Sequence, residues 1–213
     1  LIADQVMKIW VKNNMSQNLF AQESILGDWF IMTYTENRGM AFGTTFGDGV
    51  WAKLGLSIFR IIAIAGIAYY FVKQVKKGVR MELLLAIGLI FAGATGNLID
   101  SMCYDYIFPL DKNLGFNYLD ADMTKLRPTG FLLGNVVDMF QFTTKWPSWV
   151  PWYNEHPTHP SDNEIFPAIW NIADAAISIG VLMVIFRQRA YFPKEKKEQI
   201  TPASEETTPS EPS

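Results

Sequence analysis

Three stretches of this chain, at about residues 54–72, 81–103 and 166–186, are apolar enough for long enough to cross a lipid bilayer. Nothing else in the sequence restricts the fold so strongly, because backbone inside hydrocarbon must satisfy its own polar groups. The chain opens LIADQVMKIW, without Met and within an apolar pattern. That opening reads as the outer half of a first spanning helix whose beginning precedes the sequence, and no cleavable signal peptide is visible. Lys73, Lys76, Lys77 and Arg80 occupy a short loop between two spans, and Arg187, Arg189, Lys194, Lys196 and Lys197 follow the last one. Lys and Arg concentrate on the cytoplasmic side, so both termini are expected there, with residues 13–53 and 104–165 on the opposite face. The expected fold is an all-α membrane protein of four transmembrane helices with a small extracytoplasmic β-element. Residues 1–192 are expected to form the membrane domain, and 193–213, which are mostly polar, a disordered cytoplasmic tail.

The β-element comes from the two outer stretches. Residues 29–35 are aromatic and β-branched, which suits a strand, and Asn37, Arg38 and Gly39 read as a turn after it. Residues 135–142, NVVDMFQF, form a second candidate strand, expected to pair with the first on the outer membrane surface. The segment KWPSWVPWYNEHP at 145–157 is rich in Trp and Pro and suits the headgroup region, where Trp is enriched.

Several function classes lack their parts. A net charge of −3 without a basic, aromatic-interleaved patch gives no reason to expect nucleic acid. The single cysteine, Cys103, excludes an intrachain disulfide and a CxxC metal site. His156 and His159 lie in a Pro-rich loop, not on a helix as in HExxH, so no metal is expected. There is no GxSxG elbow, P-loop or dinucleotide fingerprint, and no cofactor is implied.

The chain instead places carboxylates near one membrane boundary. A charge at a helix centre costs about 2.5–3.5 kcal/mol on insertion scales and usually faces a bundle interior or a wet cavity. Asn171, Asp174 and Ser178 share a narrow face of the last apolar segment. Asn97 and Asp100 share a face in GATGNLIDSM, where Gly93 and Gly96 leave room for a close neighbour. Asp4 and Lys8 stand at i, i+4 in the first segment, and Asp138 lies in the second strand. Each has an ordinary reading: a helical ion pair for Asp4 and Lys8, interhelical bonding for Asn97 and Asp100. Asp174 fits a helix N-terminal carboxylate, and Asp138 an exposed strand residue. Their shared depth favours a site. Two close carboxylates cannot easily both ionise and so share one proton. One then takes a proton from water while the other polarises an amide carbonyl.

On DQVMK (4–8), NRGMAFG (37–43), GNLID (96–100), VVDMF (136–140) and NIAD (171–174), the chain resembles the lipoprotein signal peptidases, or signal peptidase II. These are bacterial inner-membrane aspartic proteases, and the likeness spans most of residues 1–187. Each motif is short, but the five in order make a specific signal. The resemblance implies a catalytic pair of Asp138 and Asp174. Asn37, Gly39, Asn97, Asp100 and Asn171 match positions that shape the site; Asp4, Lys8, Ala41 and Gly96 match supporting ones. It implies cleavage of a diacylglyceryl-modified prolipoprotein just before the lipidated cysteine, and inhibition by globomycin. Membrane lipids are further expected partners, and the chain is expected to act as a monomer.

The sequence departs from that pattern. Ser101 stands where many members have Arg, Trp170 where many have Phe, and the stretch 103–135 is longer than expected. Arg60, inside the apolar run SIFRIIAI, reaches a depth similar to Asn97 and is expected to extend toward Asp100 and Ser101 in place of the missing Arg. A non-catalytic lipoprotein-binding protein on the same scaffold is the alternative. A proton-coupled transporter fits less well, because the carboxylates gather at one face instead of forming a path across the membrane.

Overall fold

The computed structural model describes residues 1–15, 22–37, 49–108, 127–158 and 161–191. The elements are α1 (Ile2–Met15), β1 (Glu23–Leu26), β2 (Phe30–Asn37), α2 (Val50–Lys76), α3 (Met81–Ile107), β3 (Val136–Phe142), α4 (Ile172–Phe186) and a single turn, α5 (Gln188–Tyr191).

Helices α2 and α3 have the length and composition to cross a membrane. Each has 27 residues, about 40 Å at 1.5 Å per residue, against a hydrocarbon core of about 30 Å. Gly78, with a left-handed φ of 64°, turns the chain between them. Lys73 and Lys76 lie in the last turn of α2, where cations suit the helix C-terminus and a headgroup boundary alike. The flank of α2 carries exposed Phe59, Ile62 and Tyr69, the outward apolar surface that a lipid-facing helix presents.

The sequence predicts four spans, the first of them truncated at its start; among the described residues α2 and α3 have spanning length. Helix α1 has 14 residues and α4 has 15. The apolar run at 166–186 is not helical throughout. Pro167 disfavours helical geometry in the residue before it, and residues up to Trp170 stay outside α4. Trp170 instead bridges Phe140 of β3: its N–H donates to the Phe140 carbonyl at 2.9 Å, and the Phe140 N–H donates back at 2.8 Å. The helix starts only where Asn171 caps it.

The two expected strands are present and pair antiparallel as β2 and β3, with Thr35 opposite Asp138 and Asn37 opposite Val136. Asn37 is the last residue of β2, not part of the turn; Arg38 and Gly39 lie outside the described residues, as do Ala41, His159 and the tail. A third strand, β1, pairs with β2. Its sequence, ESIL, is exposed at all four positions and so shows no apolar alternation.

Glycines set the helix spacing. A Cβ on Gly93 of α3 would lie 2.3 Å from the Ala173 carbonyl oxygen, and one on Gly180 of α4 would lie 2.6 Å from the Ala86 carbonyl oxygen. The two backbones therefore touch, which places Asn97 beside the start of α4. A Cβ on Gly66 of α2 would meet nothing within 4 Å. Gly93→Ala is expected to lower stability by about 1–3 kcal/mol through overpacking, whereas Gly66→Ala leaves it unchanged. Thermal unfolding in detergent distinguishes the two, and equal behaviour would contradict this packing.

Candidate active site

The site begins with a charge cluster. Asp4 and Lys8 lie one turn apart on α1, and Lys8 Nζ sits 3.1 Å from Asp4 Oδ2. The same ammonium reaches α3, 2.7 Å from Asp100 Oδ2, and donates to Asn97 Oδ1 at 2.8 Å. Lys8, Asp4 and Asp100 are all completely buried. Their remaining oxygens are also used. Asp4 Oδ1 accepts the Ala173 N–H of α4 at 2.9 Å, and Asp100 Oδ2 accepts the Val137 N–H of β3 at 3.3 Å. Gln5 donates to Asp100 Oδ1 at 3.0 Å and to the Gly96 carbonyl at 3.2 Å. One cluster thus joins α1, α3, β3 and α4.

Asn97 carries this order outward. With its oxygen occupied by Lys8, its amide must donate, and Nδ2 gives a hydrogen bond to Asp174 Oδ1 at 2.8 Å. Asn171 does the equivalent work from the other side. As the α4 cap, its side-chain oxygen accepts the Asp174 N–H at 2.9 Å while its own N–H donates to Asp174 Oδ2 at 3.3 Å. Its Nδ2 donates to Asp138 Oδ1 at 2.6 Å. A single asparagine therefore ties Asp138 to Asp174. Asn37 adds a second side-chain hydrogen bond to Asp138.

Both carboxylates open onto one cavity of about 670 Å³. Its other walls are mostly apolar, with Phe59, Ala63 and Ile64 from α2, Ala94 from α3 and Ile177 from α4. Asp138 is nearly fully buried, whereas Asp174 is partly exposed. Burial, and next the negative charge of Asp174, push the Asp138 carboxyl up to about 7; hydrogen bonds from Asn171 and Asn37 and the charge of Lys8 pull the other way. Asp138 therefore holds its proton up to neutral pH. Among the described residues, no group of three or more His, Cys, Asp or Glu side chains could hold a metal ion.

The sequence-selected residues fall in three shells around this cavity. Asp138, Asp174, Asn37, Asn97 and Arg60 line it, and Asn171 lies just behind. Asp4, Lys8 and Asp100 form the cluster beneath. Asp4 and Lys8 do form a helical ion pair, but one that reaches well beyond its own helix. Asp174 is a first-turn helix carboxylate and a cavity residue together. Ser178, one turn further along, also lines the cavity. Gly39 lies outside the described residues, and Gly96 gives Asp4 its space, since a Cβ there would sit 2.8 Å from Asp4 Oδ2. Arg60 projects from the α2 wall, within electrostatic reach of Asp174 first, then Asp100 and Asp138. Ser101 is fully buried, and its hydroxyl donates to the Asn97 carbonyl at 3.4 Å.

Sequence reasoning missed a second buried pair, Lys12 with Glu36, which Tyr34 and Asn135 complete. It fixes β2 to α1 just before Asn37. Lys12 extends the 4–8 spacing by one more turn of α1, which was the available signal.

The family model for signal peptidase (SPase) II matches residues 1–189. The chain belongs to the signal peptidase II family. It is 35% identical over 194 residues to the lipoprotein signal peptidase of Porphyromonas gingivalis, covering 87% of this chain and 77% of that one. It is also 35% identical over 194 residues to the lipoprotein signal peptidase of Amoebophilus asiaticus, covering 89% and 74%. Among solved structures, a bacterial membrane enzyme determined by the in meso method at 2.3 Å superposes with a TM-score of 0.55. That likeness, at 23% identity over 92% of this chain and 87% of the other, concerns the fold alone. Signal peptidase II membership makes the chain a protease, and α2 and α3 agree with a bacterial membrane protein.

The Lys8 cluster organises this signal peptidase II scaffold. Removing one partner of a buried pair leaves uncompensated charge and costs about 3–5 kcal/mol. Lys8→Met is expected to destabilise by that order, read as thermal unfolding in detergent. A loss below about 1 kcal/mol, the range of an exposed pair, would contradict the cluster's role.

Proposed function

We propose that this protein is an aspartic endopeptidase that removes the signal peptide from diacylglyceryl-modified prolipoproteins, cleaving just before the lipidated cysteine. The observation that carries the reading is Asn171, which bonds both Asp138 and Asp174 at the wall of a largely apolar cavity. Names of the relatives support the substrate class.

In this mechanism a water lies between the carboxylates, with one proton on the pair. Asp174, partly solvated, takes a proton from the water as its oxygen attacks the scissile carbonyl. Asp138, protonated at neutral pH, donates to the carbonyl oxygen. The tetrahedral gem-diol then collapses: a hydroxyl proton returns to Asp138, the C–N bond breaks, and Asp174 gives its proton to the departing amine. The released signal peptide ends in a carboxyl group, and the lipidated cysteine becomes the new N-terminus. Asn97 and Asn171 hold Asp174 in place; Asn37 and Asn171 hold Asp138. Arg60 adds a positive charge beside the reacting groups, where Ser101 cannot. The apolar walls of α2, α3 and α4 accommodate acyl chains and the signal helix.

The protein sits in the inner membrane with four passes, both termini cytoplasmic and the site at the outer face, as the Lys and Arg distribution supports. It acts as a monomer, needs no cofactor, and binds a globomycin-type inhibitor in this cavity. The tail at 193–213 lies outside the catalytic unit.

Asp138→Asn and Asp174→Asn are each expected to reduce cleavage by at least about 10²–10⁴-fold, the scale of general acid–base catalysis, with unfolding temperature retained. A gel-shift assay on a diacylglyceryl-modified prolipoprotein reads this. Substrate binding without cleavage by the unaltered protein would favour the lipoprotein-binding alternative.

Because the acid must be protonated, kcat/KM is expected to fall as pH rises through about 7, where Asp138 titrates. The Asn37 hydrogen bond favours the ionised form, so removing it raises the pKa. In Asn37→Ala the alkaline limb should move to higher pH; a limb that moves to lower pH would contradict the assignment.

A further inference from the structure

Between β3 and α4 the chain makes a structured excursion that the catalytic reading leaves unused. Its stem continues the pairing beyond β3. Ile165 N–H donates to the Thr144 carbonyl at 2.8 Å, Trp146 N–H to the Asn163 carbonyl at 2.7 Å, and Lys145 bridges Glu164. Asn163 locks the outer part, accepting the Asn154 N–H at 2.7 Å on Oδ1 and donating from Nδ2 to the Asn154 carbonyl at 2.9 Å. Trp146 packs edge-on against Trp152, with centroids 5.3 Å apart.

The element presents Trp149 and Trp152 outward while Val150 is buried beneath them. Trp149 is 80% exposed and Trp152 is 63% exposed. Residues 146–153, WPSWVPWY, contain no charge. Ile165 and Phe166 at the base are exposed too. A contiguous exposed apolar patch marks an interaction surface, and uncharged Trp-rich surface suits the zone between headgroups and acyl chains.

Depth decides which partner it meets. If Lys73 marks one boundary, a core of about 30 Å places the other about 20 residues away, near Lys53. Phe142 and Phe166, at the base of the excursion, line the same cavity as Phe59 and Arg60 of α2. Phe59 lies about 9 Å inside the Lys53 level. The base of the stem therefore lies within about 9 Å of that membrane boundary.

We propose that this element, carried by Trp149 and Trp152, docks on phospholipid of the leaflet opposite Lys73, at the boundary between headgroups and acyl chains. It clamps the outer end of β3, and with it the Asp138 strand, to the bilayer surface. The inference depends on the protein's membrane placement and is independent of its catalytic activity.

The test uses the full chain in nanodiscs of phosphatidylethanolamine and phosphatidylglycerol. A nitrobenzoxadiazole probe is attached at Trp149→Cys in a Cys103→Ala background. Lipids bearing a nitroxide near the headgroup are expected to quench it several-fold more strongly than aqueous iodide, with or without prolipoprotein. Strong iodide quenching with little lipid quenching would overturn the proposal. Shielding from iodide that appears only on adding prolipoprotein would also overturn it, assigning the surface to substrate. A second measurement needs no label: brominated lipids should quench intrinsic tryptophan emission less in the Trp149→Phe, Trp152→Phe double variant than in the unaltered protein. Equal quenching of the two would count against lipid contact.

Discussion

The buried ammonium of Lys8 is the interaction on which the rest of the structure depends. It lies between two buried carboxylates, Asp4 and Asp100, and donates to Asn97. Such a cluster is stable only if its other lone pairs are satisfied. Here the Ala173 and Val137 backbone amides and Gln5 supply the missing donors. Those donors belong to α4, β3 and α1, so satisfying the charge and assembling the fold are one event. The small contact residues Gly93 and Gly96 let the backbones approach closely enough for it.

From that cluster, orientation passes outward one hydrogen bond at a time. Lys8 fixes which way the Asn97 amide faces, and Asn97 then fixes Asp174. Asn171 meets Asp174 from the helix cap and Asp138 from the strand. Two chemically identical side chains consequently occupy different surroundings. Asp138 is buried beside a negative charge, whereas Asp174 is partly open to the cavity. Environments that push two like groups apart are what acid–base chemistry at neutral pH requires.

Much of this was legible in the sequence, and the failures have physical causes. The α2–α3 pair follows from hydropathy and the Lys-rich turn, and β2 and β3 from aromatic and β-branched runs. The beginning of α4 was placed too early because an apolar run does not distinguish a buried extended segment from a helix. Pro167 and the Asn171 cap were the better markers. β1 left no alternation to detect. The Asp4–Lys8 spacing was visible, but its reach to Asp100 and Asn97 was not, since spacing within one helix says nothing about its neighbours. The same holds for Lys12 and Glu36, which are joined only by the tertiary fold. Arg60 lines the cavity with Asp174, Asp100 and Asp138 all within its electrostatic reach, an arrangement that depth along α2 alone suggests for Asp100.

Asp138 is the carboxylic acid of the pair, held in that form up to about pH 7 by burial and by the negative charge of Asp174. Infrared difference spectroscopy of the reconstituted protein, titrated across pH 7, tests it most directly. A protonated carboxyl band is expected that disappears near pH 7 and is missing in Asp138→Asn. A band that persists unchanged in Asp138→Asn, or two carboxylates already ionised well below neutral pH, would contradict it.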